Sequence, residues 1–339
     1  MIIFYLDIGT ESKMDIRKIQ RTSGGTFFVC LPKAWAKKNN LVKGSLVSVI
    51  ETTDGKLAIT PRYSNDRTPK TTIITSSPLL DREIVEKYLL GYDSIQVVAK
   101  ERIGLNDRER VKEVSSHLIG LEIIEETTSK IVLQCLLEPS TFPPQKILQR
   151  EYSIASGMHR DSVTSLTESD IPLAKSVIAR DNEVNRLYFL LVRLLRTVIQ
   201  NPGLSESFKI LPIDCLDYRL TASLVEAIGD HSSCIGEQTI KLGDKQLSER
   251  VLQLILRLHT VAYDAHENAI TAVFSHDVPK AESVRSDAQK VQALFTEIES
   301  ISRNQSEDRG PIVLAISSAI CRIFDNSLDI ADLVMPKLL

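Results

Sequence analysis

The chain has 339 residues, 43% of them hydrophobic and 25% charged, with a formal net charge of −3, so it is long enough for two or three packed domains and resembles an ordinary soluble protein in composition. Its five cysteines, Cys30, Cys135, Cys215, Cys234 and Cys321, are odd in number, widely spaced and form no C-x-x-C pair, which indicates neither a disulfide framework nor a thiolate zinc site and fits a reducing cytoplasm. The opening MIIFYLDIGT has no basic residue and is interrupted by Asp7, so it fails as a signal peptide, and no stretch approaches the roughly 18 to 20 apolar residues of a membrane span.

Regular patterning starts just after Met14, a candidate alternative start. From Ile16 to Thr60 the pattern is strand, turn, strand, short helix and hairpin. Residues 26–31, TFFVCL, are β-rich and follow the turn signal Ser23, Gly24 and Gly25; Pro32 opens a short helix through Lys38; residues 46–50 and 56–60 flank Asp54 and Gly55, a hairpin turn. Trp35 is the expected core anchor. Residues 14–62 carry nine Lys/Arg against three Asp/Glu, a net of +6 that leaves −9 for the rest of the chain. A basic module on an acidic body is the charge layout of a nucleic-acid reader attached to something else. With about 45 residues it buries little core by itself and needs a second copy.

Arg62 to Lys70 forms a polar linker. Residues 71–138 then predict a small α/β connector domain: strands near 72–75, 94–99, 121–125 and 130–137, helices near 79–91 and 106–119, and the helices on one face of the sheet. No catalytic or phosphate-binding motif lies in it. From Lys146 the signal is helical, with six helices expected near 146–168, 170–200, 213–241, 246–276, 278–303 and 311–335. Residues 159–177 align without gaps on 266–284, with seven identities in nineteen positions: His159/His266, Thr164/Thr271, Asp170/Asp277, Pro172/Pro279, Ala174/Ala281, Ser176/Ser283 and Val177/Val284. Two three-helix repeats follow, each with an Asp-x-Pro start to its second helix.

On that helix Val177, Asp181, Val184, Tyr188, Leu191, Leu195 and Val198 follow the 4-3-4-3 spacing of a bundle core. A carboxylate in such a stripe must be paired, protonated or bound to metal. Asn185 lies one turn on, and Glu226 and Asp230 share a face of the third helix, so Asp181, Asn185, Glu226 and Asp230 are candidate metal ligands; a solvated acidic face is the alternative. His159, His266 and His276 read as surface or capping residues, and His117 and His259 carry no motif.

Residues 226–237, EAIGDHSSCIGE, closely resemble the third-helix signature of PhoU proteins, E-R-I-G-D-H-x-x-N-I-A-E, and residues 322–332, RIFDNSLDIAD, look like a decayed second copy. With the repeat, this likeness covers 146–336. RKI at 17–19, GGT at 24–26 and LPKAW at 31–35 resemble the AbrB/SpoVT swapped-hairpin family, in the version fused to PhoU-like domains, over 14–62. The resemblance implies a multidomain protein: a small swapped-hairpin β-barrel, the α/β connector, and an all-α domain of two three-helix bundles. It also implies a homodimer that binds DNA, with Arg17, Lys18, Arg21, Lys33, Lys37 and Lys38 as its DNA-facing residues, and a PhoU-like sensor that controls phosphate uptake. Iron or zinc is implied at Asp181, Asn185, Glu226 and Asp230. At the matching places the second repeat has Ala288, Gln292, Cys321 and Asp325, so its site is expected to be lost. The rival reading is an adaptor that contacts a phosphate transporter or its sensor kinase without binding DNA. A metal-dependent hydrolase would need a nucleophile or phosphate loop that the sequence lacks, so no enzyme is expected.

Overall fold

A computed structural model describes residues 16–51, 55–61, 69–303 and 309–335. Met14, Asp54 and Arg62 to Thr68 of the linker lie outside these residues. The chain divides into two compact units, one ending at Arg67 and one starting at Thr68.

In the first unit β1 (Gln20–Arg21) pairs antiparallel with β2 (Phe27–Phe28), α1 spans Lys33–Lys38, and β3 (Ser48–Glu51) pairs antiparallel with β4 (Leu57–Thr60). Gly55 enters β4 with φ +77°, a conformation that costs any residue with a Cβ. Pro32 precedes α1 as its cap instead of occupying the first helical position. The two hairpins form separate two-stranded sheets in one copy of the chain. No described residue of this unit is buried, and Trp35 is only half-buried, so it anchors no core within a single chain.

The second unit opens with β5 (Thr71–Thr75), α2 (Leu80–Leu89), β6 (Ser94–Val98), α3 (Leu105–His117), β7 (Leu121–Glu126) and β8 (Lys130–Cys135). The sheet order is β5-β6-β8-β7, with β5 and β6 parallel as the α2 crossover requires and the other pairs antiparallel. Strand alternation puts Ile74, Ile95, Val97, Ile131 and Leu133 on one face, where Leu80, Ile84 and Tyr88 of α2 and Val111 of α3 cover them. Burying each such side chain contributes roughly 1.5–3 kcal/mol.

Then come α4 (Pro144–Glu168), α5 (Ile171–Gln200), the short α6 (Pro202–Phe208) and α7 (Asp214–Leu242), followed by α8 (Glu249–Ser275), α9 (Val278–Arg285), α10 (Ala288–Ser302) and α11 (Gly310–Asp332). The repeat is visible in its caps: Asp170 accepts from Leu173 N at 2.9 Å and Asp277 from Lys280 N at 3.0 Å, while Ser169 and His276 end the preceding helices with φ 55°. One expected helix, 278–303, is broken into α9 and α10 at Ser286 and Asp287, two residues that bond to the local backbone more readily than they continue a helix; Ser286 Oγ donates to Ser283 O at 2.7 Å. One apolar core runs through both bundles, which meet where α4 packs on α8 and α7 on α11.

The connector docks on α5 within the same unit: Arg193, 2% exposed, donates to Tyr88 O (2.5 Å) and Tyr92 O (3.0 Å), lies 4.9 Å over the Tyr88 ring and pairs with Asp93 at 3.6 Å. Among the described residues one helix, α11, is long and apolar enough to cross a membrane; its Val313, Ile316, Ile320, Ile323 and Phe324 are buried in the bundle core.

Candidate functional site

All six basic residues singled out in the N-terminal unit are exposed. Arg17, Lys18 and Arg21 precede or form β1, and Lys33 and Lys37 stand at i, i+4 on α1 beside Lys38. Lys37 and Lys38 occupy the last turn of α1, where the helix dipole favours cations. The Arg21 guanidinium lies 5.5 Å over the Phe27 ring, which steadies it without using its charge on an acid. Apolar residues are exposed beside them: Ile19, Phe27, Val42, Val49 and Leu57 are each more than half exposed.

In the first helical repeat α5 and α7 run close because of Gly236, where a Cβ would come within 3.1 Å of Ala174 O. That approach sets Asp181 against Asp230. Burial, the Asp230 charge and a hydrogen bond to Asp230 raise the Asp181 carboxyl to about 6. Asn185 Nδ2 donates to Asp181 Oδ2 at 3.2 Å. Burial, then Asp230 and Asp181, raise Glu226 to about 7, with Arg219 opposing. The four sequence-predicted residues are therefore neighbours, and the Asp181 and Glu226 carboxyls are raised because each is half-buried beside other acids. Among the described residues no three His, Cys, Asp or Glu side chains stand as a group that could hold a metal ion. As placed, the acids pair with each other instead of encircling a point.

Sequence reasoning missed Glu151. It is fully buried on α4, neither carboxyl oxygen has a hydrogen-bond partner, and burial followed by the Glu226 charge keeps it protonated well above the usual carboxylate range. Its signal was available: Leu148, Glu151, Ile154, Ala155 and Met158 form the apolar stripe of α4, and an acid there is as anomalous as Asp181 is on α5. On the other side of Asp181 an open cleft of about 580 Å³ is lined by His117, Asn182, Asn185 and Phe189. His117 Nδ1 lies 2.8 Å from Glu113 O and donates its hydrogen to that carbonyl. In the second repeat Gln292 is exposed, Ala288 packs against the core, and burial and Asp325 push the Cys321 thiol up to about 12.

Two histidines are corrected. His159 and His266 are fully buried between α4 and α8, not on the surface, because the repeat brings them together in the bundle contact. His276 does cap α8.

The family model of the PhoU domain matches residues 148–239 and 255–334, about half of the chain. The chain belongs to the PhoU domain family. The crystal structure of PhoU from Pseudomonas aeruginosa shares its fold, with a TM-score of 0.52 at 18% identity over 57% of this chain and 95% of that one. That of the phosphate transport system regulatory protein PhoU from Streptococcus pneumoniae gives 0.48 at 18% identity over 56% and 91%. Residues 20–66 match the model described as antidote-toxin recognition MazE, bacterial antitoxin, which places a domain of the AbrB/MazE type ahead of the PhoU domain. Among curated proteins none matches. Both matched families are regulatory, and their pairing joins a DNA-binding type of module to a domain of phosphate regulation.

Proposed function

We propose that the chain is a transcriptional regulator of phosphate uptake, working as a cytoplasmic homodimer. The observation that carries this is the N-terminal unit: it buries no described residue and exposes both apolar residues, among them Phe27, Val49 and Leu57, and the basic Arg17, Lys18, Arg21, Lys33, Lys37 and Lys38. Apolar strands without cover need a second copy, and the swapped hairpin of the AbrB type supplies one. Dimerisation doubles the basic surface, which suits two half-sites on a duplex. The PhoU domain is the sensor, and Asp181, Asn185, Glu226 and Asp230 are the residues that would hold iron or zinc in it. Their donor chemistry fits: three acids and an amide, all in one region, where mutual repulsion among the acids helps raise Asp181 and Glu226. The bound ion would relieve the repulsion among the acids. Regulation, not catalysis, is the role these parts support.

The test is binding of the full chain to DNA fragments recovered with it from cells, measured across salt concentration, with sedimentation to give its mass. Retention of DNA from a phosphate-transport operon, binding that weakens steeply with salt, and twice the monomer mass support the proposal. A monomer, or a dimer that retains no DNA at low salt, overturns it in favour of an adaptor that contacts a phosphate transporter or sensor kinase.

A further inference from the structure

The contact between α4 and α8 holds a continuous hydrogen-bonded chain of side chains. Tyr152 OH lies 2.8 Å from His266 Nδ1, His266 Nε2 lies 3.1 Å from His159 Nδ1, and His159 Nε2 lies 3.1 Å from His259 Nδ1. Ser156 Oγ donates to Tyr263 OH at 3.0 Å beside it. His159 and His266 are fully buried, and His259 is half-buried at one end. The 107-residue shift of the repeat carries Tyr152 onto His259, Ser156 onto Tyr263 and His159 onto His266. Each link across the seam is thus its own image or the image of another link, and the chain spans the pseudo-two-fold relation between the two bundles.

His159 uses both ring nitrogens, on opposite edges of its ring, so the three imidazoles are strung in a line and do not converge on one ion. What the chain can bind is a proton. Three links need one hydrogen each. The neutral chain holds four, one per imidazole plus the Tyr152 hydroxyl, so every link is filled and one hydrogen points outward at an end. One extra proton is still accommodated, with both ends pointing outward and one imidazole donating on both sides. A second extra proton has no link left and sets two donors face to face.

We propose that this chain is a proton-binding site that latches the two PhoU repeats together and opens when it takes up more than one proton. The surroundings agree. Burial holds all three imidazoles neutral, with His259 drawn down to about 4 and His266 to about 3, and the neighbouring imidazoles lower His159 further. From α4 the chain is faced by Tyr152 and from α8 by Tyr263; Glu267 acts on Tyr152. Among the described residues the electrostatic partners of the imidazoles are one another, so no acid from α5, α7 or α11 compensates an added charge. Since the imidazoles are neutral when folded and titrate near 6.5 when unfolded, the latch is at full strength above pH 6.5 and weakens as pH falls toward 4. The latch stands whether or not the acidic cluster takes a cation.

The test uses the full chain. Histidine-labelled protein followed by NMR should show His159 and His266 neutral, each as a single tautomer, down to pH 5. Hydrogen exchange, corrected for the intrinsic pH effect, should rise between pH 7 and 5 in α4 and α8 more than in α5. In His259→Gln, which removes one titrating ring and keeps a hydrogen-bonding amide, the unfolding constant should rise about tenfold less per pH unit between pH 5.5 and 4.5 than in the wild type. Tyr152→Phe, which keeps every imidazole but removes an end of the chain, should open at higher pH than the wild type. Titration of His159 or His266 near 6.5 with α4 and α8 still protected, or parallel pH profiles for wild type and His259→Gln, would overturn the proposal. If His259→Gln does not fold, the wild-type NMR and Tyr152→Phe decide it.

Discussion

Replacing Asp181 by Asn separates an acidic cluster that is merely strained from one that waits for a cation. The folded carboxyl sits at about 6 against an ordinary value of 3.8. That difference corresponds to roughly 3 kcal/mol, and solvent screening at a half-exposed position brings it down to about 1 kcal/mol. The sign follows from proton uptake. Between pH 3.8 and 6 the folded chain binds more protons than the unfolded one, so stability falls as pH rises through that window, and the penalty is complete above it. Asn removes the charge and keeps an acceptor for Asn185. In the presence of chelator at pH 7.5, Asp181→Asn should therefore melt about 2 °C above the wild type, and the difference should vanish near pH 4. With iron or zinc added the order should reverse, since only the wild type gains ligand-bound stability. Thermal melts at the two pH values, with and without metal, measure all of this. A variant no more stable than wild type in chelator at pH 7.5 refutes the repulsion among the acids, and an order unchanged by metal refutes the cation.

Glu226→Ala combined with Asp230→Ala should abolish the bound iron or zinc that elemental analysis finds in wild type purified without chelator, whereas Gln292→Ala in the second repeat should leave it unchanged. Arg17→Ala with Lys18→Ala should weaken DNA binding and flatten the salt slope by about one unit for each phosphate that is no longer neutralised; Lys112→Ala, on the connector, should leave both as they are. Arg108 is no clean control, because it bonds Thr127 O, Thr128 O and Glu126 and ties down the β7–β8 hairpin. Arg193→Leu strands the Tyr88 and Tyr92 carbonyls and should cost about 3 kcal/mol by denaturant unfolding, with faster hydrogen exchange in α2; a decrease under about 1 kcal/mol would mean that the connector docks on α5 by apolar packing alone.

Local chemistry was legible in the sequence because it acts over a few residues. The Asp170 and Asp277 caps, the 107-residue repeat, the strand alternation of the connector and the exposed basic residues of the N-terminal unit all follow from spacing and side-chain type. The grouping of Asp181 with Glu226 and Asp230 also has a local basis: Asp181 lies in the core-facing stripe of α5, and Glu226 and Asp230 share one face of α7, which packs on α5. What the sequence left open depends on which faces meet. His159, His259 and His266 looked like isolated rings until α4 and α8 brought residues 107 and 100 positions apart within hydrogen-bond distance. Glu151 and Arg193 are similar cases: each is one polar residue in an apolar stripe, and only the tertiary structure shows that Arg193 finds carbonyls to satisfy it while Glu151 finds none. Burial and partner choice are properties of packed surfaces, and one helix does not contain the surface that packs against it.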